Sequence, residues 1–239
     1  MAHVNSVGIA WSTFFKRRRR RLFASGRLEW AYRSPVLFLE AMTHSGSGEV
    51  GEAKFLLTDE DWQVSDFDGS RATRQDSADI LYVCTHGKTS PGTYRAILHE
   101  ADWEPLVTGI GLGAGPWIAV FDTCDLIKLT DPRLATGSAW TVGPALRLLL
   151  GFASLATVDK GPSQRGKAFA ANLLMGMPIA SAWLEAVHST GFPGLDLAIA
   201  IALGDDLADA RTALTSASLI LPPPRRRSAT AVAAWKVCH

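Results

Sequence analysis

A histidine and a cysteine each follow an apolar run in this chain. ILYVCTHG at 80–87 places His86 beside Gly87, and WIAVFDTC at 117–124 ends on Cys124. An imidazole close to a thiol supports nucleophilic chemistry, because an imidazolium stabilises the thiolate that attacks a carbonyl. The oxyanion that develops then needs preorganised donors, and backbone amides supply them. Gly87, which has no side chain to obstruct approach, and the amide of Cys124 are the expected oxyanion hole. Taken singly, His86 reads as a hydrogen-bonded histidine and Cys124 as an inert buried thiol. Their joint occurrence at two strand ends points to a cysteine hydrolase.

Other cysteine chemistries fit less well. A phosphatase loop needs an arginine six residues after the cysteine, and CDLIKLTD at 124–131 has none. Cys84 and His86 share one strand face, but no paired cysteine motif accompanies them and Cys238 and His239 lie at the chain end. No metal and no cofactor are therefore expected.

The elements that must position the pair are strands of a parallel sheet. Short β-branched and aromatic runs bounded by polar residues mark buried parallel strands, and the carboxyl ends of such strands are where sites are built. Further strands are expected at 53–57, 92–98, 152–158 and 195–203. Helices are expected over 142–150, 165–176 and 178–186, and from Gly204-Asp205 to about residue 214. This alternation predicts an α/β fold with a mostly parallel sheet covered by helices on both faces. The glycine-spaced stretch 109–116 precedes a strand rather than opening a helix and lacks a Gly-Lys-Ser/Thr ending, so it is not a phosphate loop.

The 239 residues suffice for one large domain. An apolar fraction of 47% with eight tryptophans indicates a globular chain. A net charge of +1 argues against electrostatic binding of nucleic acid by the whole molecule. The expected organisation is a basic segment 1–35, an α/β domain 36–221 and a Pro/Arg-rich tail 222–239. The arginine run at 16–21 reads as a solvated arm, or as a face paired with the acidic stretch 59–68. Three cysteines without close spacing fit a reducing compartment. No apolar run reaches the roughly 20 residues of a membrane-spanning helix, and the apolar stretch 7–15 precedes the basic run, which reverses the order of a secretory signal. The expected location is cytoplasmic, with no membrane partner.

The two strand-end motifs, Thr-His86-Gly87 and Asp122-Thr-Cys124, resemble those of the caspase-like cysteine peptidases, which include caspases, metacaspases, gingipains, clostripain, separase and the CHAT-domain peptidases. RGKAF at 165–169, IASAWLEAV at 179–187 and Gly204-Asp205 are similar to segments of the CHAT-like and gingipain-like branch. The resemblance spans about residues 78 to 214. It implies a caspase-like mostly parallel central sheet sandwiched by helices, with His86 as base and Cys124 as nucleophile. It also implies a protein or peptide substrate and leaves room for an activating protein partner. Metacaspases carry an Asp two residues before the cysteine, at the bottom of a pocket for a basic P1 side chain. The resemblance therefore gives Asp122 that role, with Asp125 as a second candidate, and cleavage after Arg or Lys. It would also make the basic run 16–21 a self-cleavage site. The competing reading is a catalytically silent module of the same fold that binds a protein or nucleic-acid partner through its arginine-rich ends.

Overall fold

The computed structural model describes residues 6–11, 30–44, 52–58, 61, 77–90, 93–97, 103–105, 115–130, 140–157, 159–192, 194–228 and 230–238. The arginine run 16–21, most of the acidic stretch 59–68 and the glycine stretch 109–114 lie outside them. The strands are β1 (Ser6–Trp11), β2 (Glu52–Thr58), β3 (Ile80–Cys84), β4 (Gly87–Ser90), β5 (Thr93–Ile97), β6 (Trp103–Pro105), β7 (Ile118–Asp122), β8 (Trp140–Thr141), β9 (Leu148–Phe152), β10 (Ala198–Gly204) and β11 (Thr230–Val237). The helices are α1 (Arg33–Thr43), α2 (Arg165–Leu174), α3 (Ile179–Thr190) and α4 (Leu207–Ser216).

The main sheet runs β2-β1-β3-β7-β9-β10-β11-β8. Its first five members in space are parallel, and β10, β11 and the short β8 add antiparallel pairings at the other end. Strands β1, β3, β7, β9 and β10 are buried along their whole length, as interior strands built mainly of Ala, Val, Ile, Leu and Phe must be. The chain is thus α/β with a mostly parallel sheet. A separate small sheet, β4-β5-β6, grows from the end of β3.

Alternate residues of the sheet feed two cores. On one face Ile9, Tyr82, Val120, Leu150 and Phe152 meet Phe38 of α1, Phe169 of α2 and Trp183 of α3. Trp183 lies edge-on to Tyr82, Phe152 and Phe169, and its indole N–H donates to the Gly151 carbonyl at 3.2 Å. On the other face Leu81, Val83, Phe121, Leu149 and Ile201 pack with Leu126, Ile127, Val142 and Leu146. Among the described residues that second core draws on no helix. Among the described residues the helical cover lies on one face, and segments around 126–129 and 142–146 pack on the other.

Four expectations are corrected. Residues 142–150 are not a helix and 153–157 not a strand: Leu148–Phe152 form β9, and a bend and loop follow it. A strand buried on both faces has no period-two polarity, so its apolar run imitates a buried helix. The segment 1–35 is not separate from the α/β domain, because β1 lies inside the sheet between β2 and β3. Gly8 belongs to that packing, since a Cβ there would fall 2.1 Å from the Phe55 ring of β2. The segment 222–239 is not a tail either. After the prolines, β11 pairs with β10 from Ile199↔Val237 to Gly204↔Val232.

Arg226 clips the entry to β11 and is 3% exposed. Its guanidinium donates to the carbonyls of Leu146, Val142, Gly143 and Ser228, and its own N–H donates to the Pro144 carbonyl. Arg226→Ala removes the guanidinium donor from the buried Leu146 and Val142 carbonyls and should cost about 2–4 kcal/mol. A shift of the urea midpoint at unchanged m-value is the expected readout.

Candidate active site

His86 and Cys124 are carried by neighbouring strands. β3 and β7 pair in parallel, with Cys84 opposite Asp122 in the last register position. Each chain then continues two residues beyond that pair, to His86 and Cys124, so both stand at the same carboxyl edge of the sheet. Thr85 and Thr123, directly before them, are 2% and 1% exposed, while His86 and Cys124 are only partly buried. Gly87 is buried and opens β4, opposite Ala96 of β5.

The turn after Cys124 is tied to the end of β9. Asp125 has φ 48°, a left-handed conformation that Asp tolerates better than most residues. Its N–H donates to the Ser154 carbonyl at 2.8 Å, and the Leu126 N–H donates to the Phe152 carbonyl at 2.7 Å. Leu126 and Ile127 then insert into the second core. The thiol faces the backbone of Ala156. The Ala156 N–H donates to Sγ at 3.3 Å, and Sγ lies 3.7 Å from the Ala156 carbonyl oxygen, which it reaches as a donor.

Burial pushes the Cys124 thiol above its ordinary value. The Ala156 N–H opposes this, and the charges of Asp125, Asp122 and Asp196 add to it. Burial also holds His86 below its ordinary value. Both effects disfavour charge, so at neutral pH the resting pair is a thiol and a neutral imidazole.

Asp122 does not sit at the floor of a substrate pocket. Its carboxylate is 1% exposed and ion-paired with Arg165 at the start of α2. It also accepts from Ser34 at 2.8 Å and from the Tyr82 hydroxyl at 3.0 Å. The chain's own arginine occupies the place that a basic substrate side chain would need, which corrects the pocket expectation for Asp122. Asp125, half-buried and adjacent to Cys124, remains as the other carboxylate.

Arg165 is itself 1% exposed. It bridges Asp122 to Asp196 at 3.2 Å, donates to the Thr157 carbonyl at 3.4 Å and stacks 4.6 Å from the Phe152 ring centroid. Asp196 in turn accepts from the N–H groups of Thr157 and Phe192. Ser34 accepts from the Gly166 N–H at 3.0 Å, and a Cβ on Gly166 would fall 1.9 Å from the Ser34 carbonyl oxygen. The Arg165-Gly166 pair thus supplies one buried charge and one close helix approach. Ser34, Tyr82, Ala156, Arg165 and Asp196 were not singled out from sequence as site residues. The Arg-Gly pair was the one local signal, and its partners are too distant in the chain for spacing to reveal.

Among the described residues no three His, Cys, Asp or Glu side chains converge as a metal site, and no helix is long and apolar enough to cross a membrane. No curated protein matches the chain. A family described as "Domain of unknown function (DUF6345)" matches residues 53–235, from β2 to within β11, and takes in β3, β7 and both strand-end motifs. The chain belongs to this family.

Proposed function

We propose that the chain is a caspase-like cysteine endopeptidase acting through His86 and Cys124. The observation that carries the reading is the parallel β3–β7 register, which brings the two side chains to one sheet edge on adjacent strands. In the reaction the Cys124 sulfur attacks the scissile carbonyl while His86 takes the thiol proton. The oxyanion is held by the amides of Gly87 and Cys124. His86 then gives the proton to the leaving amine, and water hydrolyses the thioester with His86 again as base. The substrate is a protein or peptide. A preference for Arg or Lys at P1 would rest on Asp125, since Asp122 is held by Arg165.

The raised thiol and its three nearby carboxylates favour a second reading, a silent module of the same fold that binds a partner. A fluorogenic peptide library with P1 varied, cleaved by the wild type, Cys124→Ala and Asp125→Ala, separates the two. The peptidase reading expects activity that disappears in Cys124→Ala and a basic preference that weakens in Asp125→Ala. Cleavage that survives in Cys124→Ala would take the reaction away from Cys124, and no cleavage together with unreactive Cys124 would leave the silent module.

A further inference from the structure

We infer that the backbone N–H of Ala156 is a dedicated thiolate donor to Cys124, held in place by the buried Asp122–Arg165–Asp196 chain. The inference takes its catalytic meaning from reading Cys124 as the nucleophile.

Ala156 presents both halves of its peptide environment to one sulfur, the N–H at 3.3 Å and the carbonyl at 3.7 Å. The protonated thiol can donate to the carbonyl, whereas the thiolate can only accept and turns to the N–H. A donor to the charged form stabilises it. This matters because burial and the charges of Asp125, Asp122 and Asp196 oppose ionisation. Asp122 and Asp125 flank it on its own segment, Cys84 and His86 lie on the neighbouring strand end, and Asp196 precedes β10. Arg165 is the nearby cation from α2, and it is spent on the two buried aspartates.

The segment that carries Ala156 is fastened on both sides. Before it, the Ala153 N–H donates to the Leu197 carbonyl, and Ser154 Oγ donates to the Leu195 carbonyl and accepts from the Leu197 N–H. After it, the Thr157 N–H donates to Asp196 at 2.8 Å and the Thr157 carbonyl accepts from Arg165. The same Arg165 holds Asp122, two residues before Cys124. One guanidinium therefore sets donor and sulfur against each other from opposite sides. Ala156 touches the reacting atom. Asp196 and Arg165 are positioning residues.

The test needs no turnover. In ¹⁵N-labelled wild type, the Ala156 amide proton should move downfield with the ionisation of Cys124, followed independently by the pH dependence of iodoacetamide alkylation mapped to Cys124 by mass spectrometry. The movement should vanish in Cys124→Ala. Ala156→Pro, which removes the donor, should displace the alkylation profile upward by about one pH unit, equivalent to roughly tenfold slower reaction at a fixed lower pH. Asp196→Ala supplies the positioning readout. Loss of a nearby negative charge alone would lower the thiol pKa, whereas release of the Ala156 segment raises it, and the rise is expected. An Ala156 resonance that ignores pH, or moves equally in Cys124→Ala, overturns the donor even if Ala156→Pro fails to fold. A fall of the thiol pKa in Asp196→Ala overturns the positioning role. Failure of peptide cleavage with the amide shift intact would sink the peptidase and leave the donor standing.

Discussion

Arg165→Met is expected to destabilise the fold by about 3–5 kcal/mol, because truncating one partner of a buried ion pair leaves the other charge uncompensated. Here two carboxylates, Asp122 and Asp196, are left behind with side chains 1% exposed. Met retains much of the volume over Phe152 but none of the donors to Asp122, Asp196 and Thr157. The effect should fall on the urea midpoint, and adding Asp122→Asn to Arg165→Met should recover part of it by removing one orphaned charge. A loss below about 1 kcal/mol would place the pair among exposed, screened ion pairs. It would also reopen Asp122 to a substrate side chain.

His86→Ala is expected to lower kcat/KM for peptide cleavage by about 10²–10⁴-fold, the usual contribution of a positioned general base. The pH profile carries more information than the magnitude. His86 is held below the ordinary 6.5 by burial, so its neutral, proton-accepting form is already present at neutral pH and is lost only in acid. The wild-type acid limb should therefore lie below 6.5. Cys124 is raised above the ordinary 9.0. Without the imidazole, the residual rate should lose that acid limb and climb instead with the thiol's own ionisation on the alkaline side. An unchanged limb in His86→Ala would assign it to another group and remove His86 from the reaction.

How much was legible in sequence differs element by element. β3, β7, α2 and α3 follow from local pattern, namely β-branched runs closed by polar residues and apolar residues at helical spacing closed by glycine. β9 reads as a helix in sequence because its continuous burial erases the period that separates strand from helix. β1 was hidden beside the arginine run. β11 reads as a tail in sequence because the prolines before it end one element without showing that another begins.

At the site, the types and strand-end positions of His86, Gly87 and Cys124 were readable, since each is encoded within a few residues. The spacing of Asp122 before Cys124 was equally plain, but its role was not. Whether that carboxylate meets a substrate or Arg165 depends on α2 folding back over β7, with Ser34 arriving from α1. The sequence by itself determined which residues could do chemistry and which edges of which strands carry them. Only the tertiary structure decided their partners, because a buried charge is paired by whatever the packed chain brings within a few ångströms, and that pairing leaves no trace in local spacing.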